Sequence, residues 1–215
     1  VKIDEIDTLI FVTQTPDYRI PSTACVLHKR LELDKDCMAF DINLGCSGYV
    51  YGMQVASSLL MATNCRYALL LVGDTINKGI SQEDKSAAML FGDSGSATLL
   101  EKKQQDSLII KTAYRTDGNG FKAIIMPAGG YRKLKGNEEK TVWADGNTRS
   151  DNDLYMNGVD VFSFTISEVP AIINDYLAEN NKNKDDYDTF VMHQANCYIL
   201  KQVIKRCKLP KESVP

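Results

Sequence analysis

The chain has 215 residues, 25% of them charged, and a formal net charge of −3 at pH 7, a balance that argues against a nucleic-acid surface on the global field alone. Hydrophobic residues make up 44%, enough to bury a sizeable core as one domain or as two fused halves. No run reaches the apolar length of a membrane span, no signal-type segment opens the chain, and Asn-x-Ser/Thr does not occur, all of which fit a cytoplasmic protein.

Short apolar runs alternate with helical patterns, which points to an α/β architecture. Thr8–Gln14 reads as a buried strand and Ser22–Leu31 as a helix whose start is marked by Pro21 and Ser22. Met38–Leu44 is a second strand. Ser47–Ala62 follows as a helix whose Gly48, Gly52, Ala56 and Ser57 predict close packing. Tyr67–Gly73 is a continuous apolar run, as a strand covered on both faces requires. Ser96–Glu101 and Leu108–Ala113 read as two more strands. Residues 132–153 are polar around Trp143 and Leu134, and they read as a long surface excursion. A helix with Phe162, Ile166, Val169, Ile173 and Leu177 at helical spacing comes next, and Pro170 is expected to kink or restart it. Asp188–Met192 reads as a short strand delivering His193, and Ala195–Cys207 as the last helix. The organisation expected is 1–131 as an N-terminal half, 132–153 as the excursion and 154–215 as the start of a C-terminal half.

Six cysteines, at 25, 37, 46, 65, 197 and 207, contain no Cys-x-x-Cys pair, and only two histidines accompany them. Neither a zinc site nor a disulfide framework is indicated. Cys46 stands apart, in Asn43-Leu44-Gly45-Cys46-Ser47-Gly48 between a strand and a helix. A thiol at a helix N-terminus meets unpaired amides and the positive end of the dipole, which favours thiolate. The competing reading is a buried structural cysteine, and the local pattern leaves both open. His193 ends its strand in Met192-His193-Gln194-Ala195-Asn196, where an imidazole is placed to hydrogen-bond a thioester carbonyl and stabilise enolate charge. A satisfied core histidine is the bland alternative, and it is the reading for His28. The Phe91–Ala97 turn lacks the Gly-Lys-Ser/Thr of a phosphate loop and the Gly-x-Ser-x-Gly of a hydrolase elbow, which leaves it a structural role.

Taken together, these stretches resemble the ketoacyl-acyl-carrier-protein synthase III group of the thiolase superfamily. The matching segments are Thr15-Pro16-Asp17 with Pro21–Cys25, then Ala39-Phe40-Asp41 running into Gly45-Cys46-Ser47-Gly48. Leu90–Asp93, Met156-Asn157-Gly158 with Val161-Phe162, and His193–Asn196 follow in order. The resemblance implies a thiolase-like layered α/β fold (α/β/α/β/α) of which this chain is an incomplete portion, with a buried central helix after Cys46. It implies that Cys46 is acylated by an acyl-coenzyme A primer, with its own backbone amide as part of the oxyanion hole. His193 would help to decarboxylate a malonyl thioester carried by acyl carrier protein, whose enolate condenses with the acyl group. No metal or redox cofactor is implied.

Further expectations come with the family. Ile20, on a segment that reaches across a homodimer interface, would line the partner's acyl pocket. Met156, Gly158 and Phe162 would contact substrate. Lys85 stands where relatives often hold the coenzyme A adenine with an arginine, and Tyr198 stands where an arginine often helps to dock the carrier. Lys201, Lys205 and Arg206 form a basic helix face suited to an acidic carrier protein. The family's asparagine motif and its glycine-rich C-terminal stretch would lie beyond Pro215, and its first elements before Thr8. The expectation is therefore a middle portion of a condensing enzyme, inactive by itself. The alternative reading keeps the same Cys–His chemistry for a specialised polyketide or a glycan-acylation pathway. A silent partner subunit is disfavoured by the intact Cys46 and His193.

Overall fold

The computed structural model describes residues 1–103 and 110–215. Contacts divide the chain into two units: Val1–Ile76 with Gly92–Thr112, and Asn77–Phe91 with Ala113–Pro215.

The first unit is built on a four-stranded sheet. Its strands are β1 (Thr8–Val12), β2 (Met38–Ile42), β3 (Tyr67–Asp74) and β4 (Ser94–Glu101), in the order β2-β1-β3-β4. β1 is parallel to β2 and β3, pairing Ile10 with Phe40 and with Leu70, and β4 closes the edge antiparallel to β3. Crossover helices α1 (Thr23–Arg30) and α2 (Gly48–Ala62) join the parallel strands, as parallel pairing demands. Alternation along β1 sends Leu9 to a core with Ala24, Leu33 and Tyr67, beneath α1. The next residue, Ile10, joins Val12, Ala56, Leu60, Ala68 and Leu70 beneath α2. Both residues are fully buried, which is why this strand reads as unbroken apolar sequence.

The two helices start for different reasons. Ser22 occupies the N-cap of α1 without a side-chain capping bond. The amides are taken instead by Asp41 of β2, whose carboxylate accepts from the N–H of Thr23 at 2.6 Å and of Ala24 at 2.7 Å. In α2 the buried positions are Gly48, Gly52, Ala56 and Leu60, four apart, so one stripe of small side chains meets the sheet. A Cβ on Gly52 would stand 2.7 Å from Leu70 Cδ1 and 3.0 Å from Val12 Cγ2, two side chains with no room to retreat. Replacing Gly52 with valine is expected to cost about 1–3 kcal/mol despite the better helix propensity, because overpacking exceeds that gain. Urea unfolding checks this, and a variant as stable as the parent would contradict the packing.

The second unit contains α3 (Gly158–Glu179), α4 (Cys197–Cys207) and two small ladders. In these ladders β5 (Ile124–Ile125) pairs with β8 (Tyr155–Met156), and β6 (Thr141–Val142) pairs with β7 (Thr148–Arg149). Val203, Cys207 and Leu209 are buried against Val169, Ile173 and Phe190, which joins α3 to α4. No helix among the described residues is long and apolar enough to cross a membrane.

Four expectations need correction. Asp188–Met192 forms no strand: among the described residues only Phe190 finds a main-chain partner there, donating to the Ser213 carbonyl at 2.7 Å, and one bond makes no ladder. Of the strand expected over Leu108–Ala113, 108–109 lie outside the described residues and 110–113 are not in a strand. Of the two outcomes expected at Pro170, a kink or a restart, the restart does not occur, since α3 runs for 22 residues through it. Val169 and Ile173 on either side pack on α4, and that packing outweighs the lost hydrogen bond. The 132–153 segment is not all surface, since Arg149 is fully buried and Ser150 nearly so.

Candidate active site

Cys46 lies in the turn between β2 and α2, and it is exposed. The turn is closed by the Gly48 N–H, which donates to the Gly45 carbonyl at 2.7 Å, and Ser47 is the N-cap. A Cβ at 45 would meet the Gln14 amide oxygen, so a side chain there would push the Gln14 side chain aside. Gly48 is required because a Cβ would enter the Val12 side chain. Cys46 therefore stands immediately before the N-cap of a fifteen-residue helix, whose unpaired first-turn amides favour an anion.

Other thiols differ. Burial, followed by the charge of Asp7, pushes Cys37 up to about 11, and burial raises Cys207 above the ordinary thiol value. Both read as inert core residues, as expected of cysteines without a polar setting.

The second unit holds His193, exposed in the extended segment before α4. Asn196, three residues on, caps that helix by accepting from the Ile199 N–H at 2.8 Å, so this part of the His-Gln-Ala-Asn stretch has a structural task. Asn157 does the same for α3, accepting from Val159 and Asp160. On either side of that cap, Met156 sits in β8, and a Cβ on Gly158 would meet no atom of the described residues. Phe162, one turn into α3, stacks on Tyr198 of α4 with ring centroids 5.5 Å apart. The expected docking position thus carries an aromatic platform instead of a cation. Lys201, Lys205 and Arg206 are exposed on α4, opposite the buried Val203 and Cys207. In the first unit Ile20 is 79% exposed.

Lys85 is exposed on a segment whose anchoring no motif revealed. Next to it Asp84 is fully buried and receives the Arg149 guanidinium at 2.6 Å. Arg149 also reaches both carboxylate oxygens of Asp145, at 2.9 and 2.7 Å, and the Ser86 hydroxyl at 3.2 Å. Its guanidinium lies 5.4 Å from the Trp143 ring centre and 5.2 Å from that of Tyr155, two rings that stack on each other. The Lys85 N–H donates to Asn147 at 3.0 Å. Burial alone would raise Asp84, but the bonds from Arg149 and Ser86 outweigh it and hold the carboxyl below 3.8. Asp145 is held lower still, first by the Arg149 bonds.

Known proteins match the chain over nearly its whole length. The family model of 3-oxoacyl-[acyl-carrier-protein] synthase III matches residues 40–118, the stretch that holds Cys46. A beta-ketoacyl-[acyl-carrier-protein] synthase III of Clostridium perfringens is 32% identical over 209 residues, covering 97% of this chain and 62% of that protein. A crystal structure of a 3-oxoacyl-(acyl-carrier-protein) synthase III superposes with a TM-score of 0.95 at 39% identity, over 100% of this chain and 65% of that one. A 3-oxoacyl-(acyl-carrier protein) synthase from Burkholderia xenovorans gives 0.84 at 39% identity, over 99% and 60%. The chain thus spans less than two thirds of the length of these relatives. The layered α/β fold is the thiolase type, and over nearly its whole length the chain is similar to members of the 3-oxoacyl-[acyl-carrier-protein] synthase III family.

Proposed function

We propose that the protein is a decarboxylating condensing enzyme that starts fatty-acid synthesis, with Cys46 as acyl acceptor. The observation that carries this reading is an exposed cysteine on the α2 N-terminus, inside the stretch matched by the family model. The Cys46 thiolate attacks the carbonyl of an acyl-coenzyme A, forming a new thioester and releasing the coenzyme A thiolate. A malonyl group on acyl carrier protein then loses carbon dioxide, and His193 stabilises the enolate left on the thioester. The enolate carbon attacks the Cys46 acyl carbonyl, a carbon–carbon bond forms, and the Cys46 sulfur leaves. The product is a β-ketoacyl carrier thioester. This scheme balances without a metal or redox cofactor. In it, Met156, Gly158 and Phe162 contact substrate, Lys85 faces the coenzyme A nucleotide, and Ile20 lines the acyl pocket of a homodimer partner in the cytoplasm.

Incubation with acetyl-coenzyme A followed by peptide mass analysis tests the first step. One acetyl group on the Cys46 peptide is the expected result, and labelling confined to other cysteines would sink the assignment. The second substrate has its own test. Along α4 lie Lys201, Lys205 and Arg206 with no acidic residue, although the whole chain is net acidic. Reversing Lys205 and Arg206 to glutamate is expected to raise KM for the carrier thioester about tenfold, through lost steering and contact, with acylation by coenzyme A thioester unchanged. Equal loss in both half-reactions would remove the docking role.

A further inference from the structure

Asp74 ends β3 in the same unit as Cys46, and one oxygen of its carboxylate gathers four donors. These are the Thr13 hydroxyl at 2.9 Å, the Gln14 N–H at 2.7 Å, and the N–H and hydroxyl of Thr15, both at 3.0 Å. The Thr15 hydroxyl in turn accepts from the Thr75 N–H at 2.8 Å. The Thr13–Thr15 turn, which follows β1, is thereby tied to the end of β3.

From the other side this turn touches the Cys46 loop in two ways. The Thr13 N–H donates to the Ile42 carbonyl at 3.1 Å, continuing the β1–β2 pairing to the point where the loop begins. Beyond it, the Gln14 side-chain amide lies directly against Gly45, the residue before the thiol. Asp74, Gln14 and Gly45 thus form a chain of contacts ending at Cys46.

We infer that Asp74 is a positioning residue for Cys46: it holds the Thr13–Thr15 turn as a stop against Gly45, which keeps the thiol over the α2 N-terminus. The consequence follows from distance. The field of unpaired amides fades within the first helical turn, so a small displacement of the loop lowers the thiolate fraction. Only the consequence for turnover rests on Cys46 being the acyl acceptor; the placement of the thiol does not.

Iodoacetamide alkylation of the intact chain across a pH series, read peptide by peptide, separates the possibilities. Exposed Cys25 serves as the internal reference. With Asp74→Ala the midpoint of Cys46 alkylation is expected to move up, and its rate at neutral pH to fall about tenfold per unit moved, with Cys25 unaffected. Asp74→Asn keeps an acceptor oxygen and is expected to retain the parent profile. If asparagine shifts the midpoint as far as alanine, the charge matters rather than the bonds, and the positioning role is overturned. Gln14→Ala removes the stop at an exposed position, and its Cys46 midpoint is expected to rise too. Should Asp74→Ala fail to fold, Gln14→Ala decides the matter, and a parent-like profile there overturns the inference. Failure of acetyl transfer with these shifts present would overturn the proposed reaction and leave the positioning intact.

Discussion

Replacing His193 with alanine is expected to leave acylation of Cys46 by acyl-coenzyme A nearly intact, while slowing condensation by about 10²–10⁴-fold. The two half-reactions make different demands. Acyl transfer needs a thiolate, and the α2 N-terminus favours one without any help from an imidazole. Decarboxylation builds negative charge on a thioester oxygen, and a preorganised donor such as the His193 imidazole stabilises it there. Cys46→Ala is expected to abolish acyl transfer and condensation together. Single-turnover acylation followed by mass analysis, set against carbon dioxide release from the malonyl thioester, reads the two steps separately. If His193→Ala damages both steps equally at unchanged thermal stability, His193 serves as the base for Cys46, and the assignment of roles is wrong.

Arg149→Ala is expected to destabilise the second unit by about 3–5 kcal/mol, since it leaves the buried Asp84 carboxylate without its partner. Arg149→Met fills the same space and isolates the charge effect. Asp84 and Asp145 both have carboxyls held below the ordinary value, so the unfolded chain takes up protons first as pH falls. Their contribution is complete above the unfolded value of about 4 and is lost as pH drops through the lower folded values. With methionine at 149 only the Ser86 bonds still oppose burial at Asp84, and Asp145 loses its main partner, so much of the depression of both carboxyls is lost. The gap in melting temperature between parent and Arg149→Met is therefore expected to narrow as pH falls below about 4. A constant gap would mean that Arg149 acts through packing on Trp143 and Tyr155 alone. Because the Lys85 amide donates to Asn147, two residues from Arg149, KM for the coenzyme A thioester should rise in the same variant.

What local sequence determined here is whatever nearest-neighbour geometry controls. The unbroken apolar runs of β1 and β3 had to be strands covered on both faces. The four-residue spacing of Gly48, Gly52, Ala56 and Leu60 had to place one face of α2 hard against a sheet. Gly45 and Gly48 around Cys46 marked the turn, and at 48 only glycine tolerates so close an approach to Val12. The stripe from Phe162 to Leu177 marked α3, which runs through Pro170 without a restart. Buried charges and the cap of α1 were another matter, because their partners lie far along the chain. Asp41 caps α1 from eighteen residues away, Asp74 gathers a turn sixty residues earlier, and Arg149 pairs with Asp84 at a separation of 65. A polar stretch such as 132–153 looks solvated in sequence because a buried guanidinium and a surface one are spelled alike. Tertiary structure alone decides between them: burying a charge costs several kcal/mol per ion unless a counter-charge and hydrogen bonds meet it, and only the fold brings those together.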